Sequence, residues 1–154
     1  MSNNVAVIGL GNALRRDDGI GIIILGSLFN NYKRQGIDYL NFGIASFDLI
    51  HRLQDYQAVL LIDGISANMP AGKLRIFTLK EAALSREDNV VSSHELKLKE
   101  IFRLAEDLDI KARIYVAGIQ VADVGFGEFL SNPLAENLDK LTKEVDSFIS
   151  NKLI

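Results

Sequence analysis

The sequence predicts an α/β fold, a three-layer sandwich around a mostly parallel five-stranded sheet with room for one antiparallel edge strand. Three observations lead there. Short runs that are apolar on both faces recur along the chain, as strands buried between two helical layers require. Segments with helical hydrophobic spacing alternate with those runs. Three of the runs end in glycine or an isolated polar residue, at the carboxyl edge where such sheets bind ligands.

Val5–Ile8 is the first strand, and Gly9-Leu10-Gly11-Asn12 closes it. Asp17-Asp18-Gly19 then precedes a helix over Ile20–Asn30, with Ile20, Ile23, Ile24, Leu28 and Phe29 on its apolar face. Ile-rich and interrupted by Gly21 and Gly26, this helix depends on packing more than on propensity. Both glycines are expected to let it approach the sheet closely. Ile37–Phe42 is the second strand, followed by a short helix over Ser46–Leu53. Ala58–Ile62, entirely apolar, is a central strand that stops at Asp63-Gly64. Asn68–Gly72 holds Pro70 and Gly72 and is a turn. Lys73–Leu79 alternates and suits a sheet edge. Leu96, Leu98, Ile101, Leu104 and Leu108 mark a helix over Glu95–Leu108, and Ala112–Ile119 is the last strand. Leu134, Leu138, Leu141, Val145 and Phe148 make Pro133–Ile149 an amphipathic terminal helix.

The chain's 154 residues fit a single domain over residues 1–154. A domain of that size buries about 68–70% of its unfolded surface, enough for a full core. With 48% hydrophobic residues and only 2 Pro, disorder is excluded. The net charge of −3 argues against a general nucleic-acid or anionic-membrane partner. Zero Cys removes disulfides, thiolate metal sites and a thiol nucleophile. Met-Ser-Asn-Asn carries no basic leader, and Ile20–Leu25 falls far short of the about 18 apolar residues that span lipid. A cytoplasmic location is therefore expected.

Gly9-x-Gly11 invites a dinucleotide reading, but Leu14 stands where the third glycine belongs. The two carboxylates that follow would also repel a pyrophosphate, so no nucleotide is expected. One of Asp17 and Asp18 is expected to cap the helix they precede, with Arg15 and Arg16 pairing with them at the surface. Asp63 suits a turn before Gly64, yet it also ends a central strand, which favours a functional role. His94 follows Ser92-Ser93 at a helix start. His51 lies among core-facing residues of the Phe47–Leu53 helix without a base–orienter partner and is read as structural. Asp18, Asp63 and His94 all fall at element ends on one edge. Brought to one open rim, two carboxylates and an imidazole form an oxygen/nitrogen site suited to a divalent ion such as nickel or zinc.

The stretch Gly9-Leu10-Gly11-Asn12-Ala13-Leu14-Arg15-Arg16-Asp17-Asp18-Gly19-Ile20-Gly21 resembles the opening signature of the nickel–iron hydrogenase maturation endopeptidases, G-x-G-N-x-L-x-x-D-D/E-G-x-G. The likeness continues in order. Leu61-Ile62-Asp63-Gly64 resembles the family's strand ending in Asp-Ala, and Asn68–Gly72 its Pro-Gly turn. Ser93-His94 resembles its histidine segment, and Gly118-Ile119-Gln120 with Val124-Gly125-Phe126 resembles its Gly-Ile-Gln-Pro stretch. Val121 replaces the proline, Asp123 sits one place later than an acidic residue of some members, and Asn41-Phe42-Gly43-Ile44 replaces a usual Asp-Gly-Gly/Ser/Thr-Ser/Thr loop.

The resemblance implies an α/β endopeptidase that removes the C-terminal extension of a hydrogenase large-subunit precursor after nickel insertion. By motif, the family's metal-contacting residues fall on Asp18, Asp63 and His94, with nickel carried by the substrate. Three mechanisms stay open. The three residues register a nickel-loaded precursor, a metal on them activates water, or Asp18 or Asp63 acts as a general base. Without Cys or a G-x-S-x-G elbow, covalent routes fall away. The alternative function is a non-proteolytic metal-binding or nucleotide-binding module.

Overall fold

The computed structural model describes residues 3–44, 47–84 and 97–154. Among them one sheet forms, from β1 (Val5–Leu10), β2 (Ile37–Gly43), β3 (Ala58–Ile65), β4 (Leu74–Thr78) and β5 (Arg113–Gln120). The strand order is β2-β1-β3-β5-β4. All neighbours are parallel except β4, which runs antiparallel to β5 along the edge. Parallel pairing buries β1 and β3 on both faces, which is why their sequences are continuously apolar rather than alternating.

Among the described residues six α-helices cover the sheet, α1 (Ile20–Asn31), α2 (Phe47–Leu53), α3 (Leu79–Leu84), α4 (Leu98–Asp107), α5 (Asn132–Glu136) and α6 (Leu138–Phe148). Ala6, Ile8, Val59 and Leu61 pack under α2, α3 and α4 through Leu49, Leu53, Leu79, Ala82 and Ile101. Val7, Leu60 and Ile62 point the other way, against Ile20, Ile24 and Leu28 of α1 and Leu141 and Val145 of α6. Alternation along each strand thus feeds two cores, and the sandwich has three layers. No helix among the described residues is long and apolar enough to cross a membrane.

Several elements depart from the sequence expectation. β3 does not stop before Asp63; it runs through Asp63 and Gly64 to Ile65, because Asp63↔Gly118 and Ile65↔Gln120 continue its pairing with β5. The terminal helix is broken at Asn137, whose side-chain amide takes the Pro133 carbonyl at 2.7 Å, the acceptor an unbroken helix would use for its own N–H. It then ends in a π-helical turn over Ile149–Leu153. α3 was not anticipated, because its six residues are too few to show a period. The start of the helix expected over Glu95–Leu108 lies outside the described residues up to Leu96; helix is present from Leu98, and Leu108 is exposed beyond its end.

The two glycines of α1 behave differently. A Cβ at Gly21 would stand 2.2 Å from the Ile62 carbonyl oxygen and 2.5 Å from that of Leu10. The helix start is therefore seated in the fork between β1 and β3, closer than any side chain permits. Gly26 faces solvent, and a Cβ there would meet nothing within 4 Å, so the close approach expected at this position is absent. Gly21→Ala should lower stability by about 1–3 kcal/mol or more, since backbone rather than a side-chain tip must yield. Gly26→Ala should raise it by about 0.5–1 kcal/mol through helix propensity alone. Urea unfolding of both variants checks the contrast.

Candidate active site

The signature loop folds back on itself at the carboxyl edge of β1. Gly11 has φ +140°, and a Cβ there would lie 2.0 Å from the Asp18 carbonyl oxygen. Only glycine allows the loop to close so tightly on the 3-10 turn Arg16–Gly19 that follows. Arg16 adopts φ 46°, a left-handed conformation that costs a non-glycine residue roughly 1–2 kcal/mol. The turn lies against β3, because a Cβ on Gly64 would stand 3.1 Å from the Asp17 carbonyl oxygen. Asp18 and Asp63 therefore occupy neighbouring elements at one edge of the sheet.

Both carboxylates are buried, Asp18 to 3% exposure and Asp63 to 0%. This corrects the open rim expected from sequence. Asp18 Oδ2 accepts the Asn12 amide at 3.0 Å, so one of its oxygens braces the signature loop. Asp63 shares strand parity with Val59, Leu61 and Ile65, hence the face covered by α2, α3 and α4. His94, the third expected site residue, lies outside the described residues. Among those residues no group of three or more His, Cys, Asp or Glu side chains comes together as a metal site. His51 is exposed on α2 rather than set in the core, although Ile50 and Leu53 beside it are buried.

Asp17 has a role that sequence reasoning missed. Neither aspartate caps α1; Gly19 is the N-cap and no side chain serves it. The Asp17 carboxylate, at 0% exposure, instead reaches across to residues 122–131. Its Oδ2 accepts from the Ala122 amide (2.8 Å), the Asp123 amide (2.9 Å) and the Ser131 hydroxyl (2.6 Å), and its Oδ1 from the Ser131 amide (2.7 Å). Burial pushes the carboxyl up, but the Ser131 hydroxyl and amide and the Asp123 and Ala122 amides outweigh it and hold the pKa below its usual value. The arginines also differ from expectation. Arg16 Nε lies 3.3 Å from Asp123 Oδ2, and Arg15 Nε donates to the Val124 carbonyl at 3.0 Å. Gln120, buried at the end of β5, accepts the Ala67 and Met69 amides and so holds the turn after β3. An isolated polar residue ending an apolar strand was the available signal for Gln120; the span of 114 residues hid the Asp17–Ser131 pair.

The backbone donors of the same loop are engaged within the fold. A phosphate cradle offers free backbone N–H groups. Here the Gly11 amide donates to Gly43, that of Asn12 to Asp18, that of Leu14 to the Asn12 side chain, and that of Arg15 to the Asn12 carbonyl. Those four donors are spent within the fold. Two buried carboxylates beside them suit proton transfer or a metal, not a phosphate.

The sequence profile described as HycI, hydrogenase maturation protease, matches residues 23–147. The chain belongs to the hydrogenase maturation protease family. It is thus an endopeptidase. The hydrogenase expression/formation protein HupM of Azotobacter chroococcum mcd 1 is 21% identical over 154 residues, 98% of this chain and 74% of that protein. The fold is shared with the maturation protease HycI of Thermococcus kodakarensis KOD1, at TM-score 0.76 and 21% identity over 97% of this chain and 94% of that one. The hydrogenase-maturating endopeptidase HybD of E. coli superposes at TM-score 0.81 and 19% identity over 97% and 93% of the two chains.

The Asp17 network makes a stability prediction with a sign. A carboxyl whose pKa is lowered by folding contributes fully above about pH 4, and that contribution is lost as pH falls through the folded-state value. Asp17→Ala should cost roughly 3 kcal/mol or more at pH 7, because hydrogen bonds to a charged acceptor contribute about 1.5–3 kcal/mol each and several donors would be stranded. The gap between wild type and variant should shrink below pH 4. Melting temperatures of the two proteins from pH 7 to pH 3 check it.

Proposed function

We propose that the protein acts in the cytoplasm to remove the C-terminal extension of a nickel–iron hydrogenase large-subunit precursor once nickel is seated, and that Asp18, Asp63 and His94 engage that nickel. The burial of Asp18 and Asp63 on adjoining elements at the carboxyl edge is the observation that carries the reading. His94 stands four residues ahead of α4 in the chain, and α4 covers the same face of the sheet that Asp63 shares.

Two carboxylates and one imidazole would complete a borderline, oxygen/nitrogen donor set. Without a thiolate such a set has little selectivity for a free ion, so nickel enters as part of the substrate, held by the precursor's own ligands. The enzyme then reads the loaded state and places the scissile bond. Hydrolysis proceeds by direct attack of water, since the chain has no Cys and no G-x-S-x-G serine. A carboxylate of the pair takes the proton from that water.

Purified enzyme mixed with nickel-loaded precursor should release the extension, read as a mass loss, whereas nickel-free precursor should stay intact. Equal cleavage of both forms would contradict nickel sensing. Asp18→Asn and His94→Ala should each slow cleavage by about 10²–10⁴-fold, with His94→Ala melting where wild type does. His51→Ala, on an exposed helix face, should leave the rate within about twofold.

A further inference from the structure

The connection between β5 and α5 is tied down at both ends by one side chain. Ala122 and Asp123 at its start and Ser131 at its end all donate to the Asp17 carboxylate. Ser131 is the N-cap of α5, yet its hydroxyl serves Asp17 and not the helix. Backbone bonds add to the tie. Gly127 donates to the Leu14 carbonyl and accepts from the Arg16 amide, and the Asp123 carbonyl accepts from the Asp17 amide. The loop thus also holds the left-handed backbone of Arg16, the residue that turns the chain into Asp17-Asp18.

The loop presents two large apolar side chains, with the exposed Glu128 between them in the chain. Phe126 is 89% and Phe129 79% exposed, and Leu14 across the Arg15↔Gly127 bridge is exposed as well. Exposed aromatics of this kind mark contact surfaces, where a few such side chains supply most of the grip. Arg15 and Arg16 are engaged within the loop and not set aside for an acidic partner. Arg15 is bonded to the Val124 carbonyl with its guanidinium over the Phe126 ring, and Arg16 lies on Asp123. The occupant this chemistry accepts is an apolar surface.

We infer that Asp17 is a positioning residue of the protease, holding the 121–131 loop in register with Asp18 so that Phe126 and Phe129 grip an apolar surface of the hydrogenase precursor beside the segment to be cut. This rests on the function proposed above. Asp17 touches no substrate; it acts through the loop. Because Asp18 is the next residue, the distance from apolar grip to carboxylate is set by one rigid turn.

The test measures kcat and KM for cleavage of nickel-loaded precursor, with melting temperature on each preparation. The double variant Phe126→Ser/Phe129→Ser should melt as wild type does, raise KM about tenfold or more, and leave kcat within about twofold. Ser131→Ala removes one donor while the three amides remain, so it folds where Asp17→Asn can fail to. It should raise KM several-fold in the wild type and not further in the double variant, because both changes act through one loop. Ser131→Thr, which keeps the hydroxyl, should restore the wild-type KM. A double variant with unchanged KM, or a Ser131→Ala that lowers the melting temperature and leaves KM alone, overturns the inference. So does a Ser131→Ala effect of equal size on both backgrounds. Wild-type protein that leaves loaded precursor uncut overturns the proposed function and this inference with it; active wild type with an indifferent loop overturns the inference alone.

Discussion

The site depends on a contact between backbones. α1 begins against the carbonyl oxygens of Leu10 and Ile62, at distances only the missing side chain of Gly21 permits. That contact drives the start of the helix into the fork between the first two parallel neighbours, β1 and β3. Everything before it in the chain must then fold within a few residues. Gly11 closes onto the Asp18 carbonyl, Gly19 onto Ala13, and Arg16 is forced into a left-handed turn. The carboxylates of the signature are held in place by a crowded loop, and the glycines around them are its precondition.

A loop folded that tightly leaves little room for solvent, which sets the electrostatics. Asp17, Asp18 and Asp63 are all buried at the carboxyl edge. For Asp17 the cost of burial is met by three amides and a hydroxyl, and its pKa falls. Asp17 is saturated with donors and works as structure, and Asp18 Oδ2 braces Asn12. A buried carboxylate saturated by neutral donors is an anchor, because its charge is already balanced where it sits.

Much of this was legible in sequence because it rests on local pattern. The runs Val5–Ile8 and Ala58–Ile62 had to be strands buried on both faces, and Lys73–Leu79 alternated as an edge strand does. The signature singled out Asp18, and the expected strand end singled out Asp63. What could not be read was set by distant partners. Asp17 resembled a helix cap until Ser131 supplied its hydroxyl from far along the chain. Asp63 looked like a turn residue until pairing with Gly118 carried β3 past it. Gly21 and Gly26 look alike in a helical pattern, and only the position of the sheet separates them.

In the proposed function Asp18, Asp63 and His94 meet nickel that the precursor brings. Nickel X-ray absorption tests it most directly, on loaded precursor alone and on precursor mixed with enzyme and frozen before turnover. The account predicts that wild-type enzyme adds oxygen and nitrogen neighbours to the nickel shell, and that an Asp18→Asn/Asp63→Asn variant which still binds precursor does not. An unchanged nickel shell in the wild-type complex would contradict it.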